Sequence, residues 1–166
     1  MAAALAAATA TSCAQPRSTP APAPLPSLRR EVPEAEPSDV VERVVAAHNA
    51  RRAKAGLSPL ALDPGLEAAA AEHARDMADR RKMSHKGGDG SSPFERMKQQ
   101  GYRYQAAAEN VAYGFDDVDA VMAGWLRSPG HRRNILGHFT EIGDGRAIDK
   151  DGVSYWCVTF GTPLAR

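Results

Sequence analysis

The sequence predicts an α+β domain in which helices pack on a small antiparallel sheet. Capped, helix-periodic segments occupy the middle of the chain. Three strand-like runs, about 104–113, 139–148 and 153–160, lie mostly towards its end, and the last two are joined by Asp149-Lys150-Asp151-Gly152. A glycine closing a short polar loop suits a hairpin, and helices leading to a terminal hairpin argue for helices covering an antiparallel sheet.

The first helix is expected from Ser38 or Asp39. Asp39 and Glu42 have the spacing of a capping box, while Val41, Val44, Val45 and His48 share one face. Gly56 stops it. Asp63-Pro64 opens a second helix, with aspartate as cap and proline in the first turn, and Leu66, Ala69, Ala70, His73 and Met77 form its stripe. Ser92-Pro93-Phe94-Glu95 repeats the signal for a third helix ending near Gly101. Asp116 or Asp117 caps a fourth, with Val118, Val121, Met122 and Trp125 inward, and Pro129 breaks it.

The chain has 166 residues, enough for one ordinary domain. Residues 1–13 read as a leader or signal-like segment. Ala and Thr dominate, and no run approaches the ~20 apolar residues that cross a bilayer. Ala10-Thr11-Ser12-Cys13 loosely resembles a lipoprotein cleavage site, so Cys13 is a candidate for lipidation. Residues 14–37 carry proline at 16, 20, 22, 24, 26, 33 and 37 among Ala and Ser, and read as a disordered tether. Residues 38–166 are the folded domain. Lys plus Arg number 21 and Asp plus Glu 20, for a formal net charge of +1, which lacks the basic excess of a duplex-DNA binder. Of the two cysteines, Cys13 falls in the leader, so Cys157 has no partner for an internal disulfide and reads as a buried small apolar residue. A monomer is expected.

Familiar catalytic signatures are missing. There is no His-Glu-x-x-His, Cys-x-x-Cys or Gly-x-Ser-x-Gly, and Gly87-Gly88-Asp89-Gly90 lacks the Gly-Lys-Ser/Thr of a phosphate cradle. The histidines carry what chemistry remains. His48 and His73 fall on apolar stripes and read as hydrogen-bonded core residues. His85, His131 and His138 lie at helix–loop or loop–strand junctions, where functional groups are displayed. Glu109 stands in a strand that is otherwise apolar for several residues, so it needs a partner. Two imidazoles with one or two carboxylates can hold zinc or another divalent cation. They can equally form a buried hydrogen-bond network with no metal, and spacing does not choose between the two.

Five stretches, in order, resemble the CAP superfamily (cysteine-rich secretory, antigen 5, pathogenesis-related 1; also SCP). They are His48-Asn49-x-x-Arg52 with Gly56-Leu57-x-Pro59-Leu60; Ser84-His85; Glu109-Asn110-Val111-Ala112; Ser128-Pro129-Gly130-His131-Arg132-x-Asn134-Ile135; and Gly137-His138-Phe139-Thr140-Glu141-Ile142-Gly143. The fourth and fifth look like the short bacterial branch. The resemblance implies a three-layer α-β-α sandwich and a cleft lined by two His and two Glu that holds a divalent metal in several members. Carried over, His85, Glu109 and His138 are three of the four. The usual second Glu, three residues after a helix Trp, is Ser128 here; His131 or Glu141 could stand in, and Asn110 adjoins the cleft. The disulfides of animal and plant members are absent.

The resemblance also implies a secreted or envelope-tethered binding module for a lipid, a wall component or a protein. The competing reading is a metal-assisted hydrolase, in which Glu109 or Glu141 is the base and zinc activates water. A third is a structural domain whose polar groups only fix the core. Ser84 beside His85 has no oxyanion motif to make a nucleophile of it.

Overall fold

The computed structural model describes residues 37–165. The leader, Cys13 and all of the tether but Pro37 lie outside the described residues. Five helices and four strands follow in the order α1 (Pro37–Lys54), β1 (Ala61–Leu62), α2 (Pro64–Arg80), α3 (Pro93–Gln99), β2 (Tyr104–Tyr113), α4 (Val118–Arg127), α5 (Pro129–Ile135), β3 (Glu141–Ile148) and β4 (Ser154–Pro163).

The expected caps form where a side chain can reach a free N–H. Asp63 accepts from Leu66 N, Asp117 from Ala120 N, and Ser92 with Glu95 makes a full capping box. Asp39 is the exception. The first helix already starts at Pro37, so Asp39 lies inside its first turn and is not its cap. Pro129 also does more than end α4. Its fixed φ suits the first position of a new helix, and α5 begins there, unanticipated from the sequence. The two-residue β1 was likewise not foreseen.

The sheet order is β1-β3-β4-β2. β3 and β4 form the expected hairpin, whose turn is closed by Asp149 accepting from the N–H of Asp151 and Val153. β2 pairs with β4 antiparallel, and only the short β1 runs parallel to β3. β2 is therefore an edge strand. α2 covers one face with Ala70, Ala74 and Met77 against Val111 and Cys157. The other face carries α1, α4 and α5, whose Val44, Val121, Trp125 and Ile135 pack on Trp156, Val158 and Phe160. This is the α-β-α sandwich. The α2 layer sits close because β3 is glycine there: a Cβ on Gly143 would run into the Leu66–Glu67 backbone, and one on Gly145 into Ala71.

Arg52 fixes the chain between α5 and β3. Only 2% exposed, its guanidinium donates to the carbonyls of Ser58, Ile135, Gly137 and Phe139. A planar fork of N–H donors can serve several carbonyls at once, and a lysine cannot reproduce it. Asn49 pins the entry to β1 in the same way, bonding both the N–H and the carbonyl of Leu60.

Candidate functional site

Glu109 is the centre of the polar cluster. It points from β2 towards the α2 layer and its side chain is 2% exposed, an expensive place for a charge. Three groups meet it. His85 Nδ1 lies 2.8 Å from Oε1, Arg96 Nη2 donates to Oε2 at 2.7 Å, and the buried Cys157 thiol donates to Oε2 at 3.4 Å. Burial pushes the Glu109 carboxyl up, but the His85 hydrogen bond and the Arg96 charge outweigh it and hold the pKa below the ordinary value. An ionised carboxylate only accepts, so the half-exposed His85 ring donates to it from Nδ1.

The supports of this pair are equally specific. His73, fully buried on α2, bonds the carbonyl of Ser84 through Nε2 at 2.7 Å, and Arg96 Nη2 donates to the carbonyl of His85 at 3.1 Å. The His85 main chain is thus held on both sides. Burial keeps the His73 imidazole below its usual pKa, so it stays neutral and suits this role. His48 is also a core histidine as expected, bonded to Val44 O and lowered by burial to about 4. The carboxylate's need for a partner was legible in the sequence. That Arg96 supplies it was not, because the two meet only when α3 packs beside β2.

On the other face Asn110 and Asn134 join α5 to β2. Asn134 donates to Asn110 Oδ1 and to Glu109 O, and Asn110 donates to His131 O. His131 is thereby brought near His85; burial, then the His85 charge, holds its pKa below the ordinary value. Ser128 is at once the last cap of α4 and the first of α5, and makes no side-chain capping bond. Both Ser128 and His131 line a groove of about 580 Å³ beside the Val111–Tyr113 end of β2, with Met83, Tyr113, Phe115 and Trp125 on its walls.

Two anticipated site residues go elsewhere. His138 is exposed, and its carbonyl accepts from Thr162, which sits opposite Ala106 at the far end of the β2–β4 ladder. That is about 10 Å of strand away from Glu109. Glu141 lies two strands over on β3 and receives the Tyr102 hydroxyl at 2.5 Å. The ligand set does not fit a metal as the side chains stand. Both Glu109 oxygens are taken, one by a cation, and among the described residues no three His, Cys, Asp or Glu are grouped to hold an ion.

Residues 45–160 match the Cysteine-rich secretory protein family, CAP. The chain belongs to the CAP family. Its CAP domain is 41% identical over 105 residues to the YkwD protein of Bacillus subtilis, a stretch that is 63% of this chain and 41% of that protein. Among solved structures it resembles an outer surface protein of Borrelia burgdorferi, with TM-score 0.67 and 26% identity over 74% of this chain and 91% of that one. It also resembles an extracellular SCP-domain protein of Bacillus anthracis, with TM-score 0.67 and 29% identity over 75% of this chain and 40% of that one. The chain thus spans less than half the length of the two Bacillus proteins. These likenesses agree with the short bacterial type of CAP domain.

Proposed function

We propose that this CAP domain is a cell-surface binding module whose ligand seats in the groove along β2, with the Glu109–His85–Arg96 cluster farther along the same strand and outside the groove lining. The observation that carries this reading is the contrast between groove and cluster. The groove is open and lined largely by apolar and aromatic side chains with a few polar groups, the usual make-up of a binding site. The Glu109 carboxylate, outside the lining, already accepts from protein donors at both oxygens, so it orders the strand and is not poised as a base. The surface location is supported by the relatives described as outer-surface and extracellular proteins. No helix among the described residues is long and apolar enough to cross a membrane. Attachment through a lipidated Cys13 would hold the domain at the envelope, and mass spectrometry of the mature N-terminus reads it directly.

The competing reading, a zinc hydrolase in the same cleft, draws on the half-exposed His85 ring and its neighbour His131. Thermal melting separates the two. A tight zinc site raises Tm with metal concentration as RT ln(1 + [L]/Kd), about 2.7 kcal/mol at a hundredfold excess over Kd. The binding-module reading expects Tm to be the same with zinc or EDTA for the parent and for His85→Ala. A zinc-dependent rise that His85→Ala and His131→Ala both lose would favour the metal.

A further inference from the structure

We propose that the occupant of the groove is an extended peptide bearing a carboxylate, added as a further strand at the Tyr113 end of the β2 edge, past the Glu109 and Val111 carbonyls that Asn134 and Trp125 occupy, with its acid group on Arg127. This rests on the reading of the groove as the binding site.

Backbone direction comes first. In an antiparallel ladder the N–H and C=O of one residue point the same way, and alternate residues face the partner. Gly114 donates to Ser154 O on β4 and pairs inward; Glu109 and Val111 present their carbonyls on the opposite side, where Asn134 and Trp125 donate to them. The N–H groups of Val111 and Tyr113 therefore also point away from β4, along the edge that lines the groove. With the two carbonyls engaged, what this edge offers an incoming chain is donors.

Charge agrees. Arg127 is the charged residue of the lining and no acid stands among the lining residues. Backbone donors about 7 Å apart, a guanidinium and the imidazole of His131 match a strand that supplies carbonyls in register and one carboxylate. The walls suit the side chains of such a strand. Tyr113 is 55% and Met83 44% exposed, so both present apolar surface that the domain itself leaves uncovered. Strand addition of this kind takes affinity from main-chain bonds and specificity from alternate side-chain pockets. A lipid tail would fill the apolar walls but leave the ordered donors unmet.

The test is selection of random linear decapeptides on the immobilised full-length chain, followed by affinity measurements on the selected peptides in free-acid and C-terminally amidated forms. Tyr113→Pro removes an edge donor where proline is tolerated, because that N–H makes no ladder bond; Tyr113→Ala keeps the donor and removes the ring. The proposal expects acid-bearing peptides whose affinity falls at least ~10-fold in Tyr113→Pro relative to Tyr113→Ala, and similarly in Arg127→Glu. Loss on amidation places the carboxylate at the peptide terminus, and its persistence places it on a side chain; either supports the proposal. Equal affinity for Tyr113→Pro and Tyr113→Ala overturns it. If no peptide is selected but phosphatidylglycerol vesicles bind the parent and not Arg127→Glu, the peptide assignment fails while the groove stands as a binding site. If neither binds, both fail.

Discussion

Replacing Asp144 with valine stabilises the protein, and most strongly above pH 8. Asp144 lies on β3 opposite Val158, in the layer between the sheet and α1, with its residue 1% exposed and neither carboxylate oxygen hydrogen-bonded. Burial, with a further contribution from Glu67, pushes its pKa up to about 8. In the unfolded chain the same carboxyl titrates near ~4. Between those limits the native state holds a proton that the unfolded state has released, so folding is favoured at low pH and loses stability as the pH rises. The difference between about 4 and about 8 corresponds to at most ~6 kcal/mol, and relaxation around the charge lowers it to a few. Urea unfolding between pH 5 and 9 should show parent and Asp144→Val diverging steadily with pH. Parallel curves would mean that the carboxyl finds water or a partner.

The reverse holds at Glu109. Arg96→Met should cost about 3–5 kcal/mol, because it leaves a buried carboxylate without its cation. The double variant Arg96→Met with Glu109→Gln should recover most of that loss, since the stranded charge is then gone. The pH signature is opposite to that of Asp144. Glu109 is held below the ordinary carboxylate value, so its contribution is present at neutral pH and disappears as acid protonates it. A double-mutant cycle by urea unfolding at pH 7 checks this, and a coupling near zero would show that the two charges are individually hydrated. The same cycle bears on the site, because Arg96 also holds the main chain of His85.

Much of this architecture was legible because its signals are local. Asp63-Pro64, Ser92-Pro93 with Glu95, and Asp117 each satisfy their own helix terminus, and β2 occupies the span its pattern indicated. Local signals also mislead where one residue serves two elements. Pro129 stops α4 and starts α5, and the sequence shows only the stop. His138 enters the expected site through the resemblance of Gly137-His138-Phe139-Thr140 to the family signature, which carries no information on where α5 turns the chain. α5 carries the chain back past β2, places His131 at the groove and leaves the Gly137-His138 pair at the far end of the sheet. Arg96 could not be read as a partner of Glu109, and Arg52 could not be read as a clamp for the α5–β3 chain, since both bonds depend on packing between separate layers. The demand was visible, a carboxylate in an apolar strand; the supplier was not.

The groove along β2 is the claim on which the functional account turns, and amide chemical-shift mapping tests it most directly. The full-length chain, labelled with nitrogen-15, would be titrated with the tightest acid-bearing decapeptide from the selection. The account predicts shifts concentrated on Val111, Tyr113, Gly114, Gly124, Arg127 and His131, with Val111 and Tyr113 moving downfield as their N–H groups gain acceptors. Shifts centred instead on the polar hollow around Glu72, Asp76 and Asp89, or on the Lys98–Arg103–Leu164 surface, would contradict it.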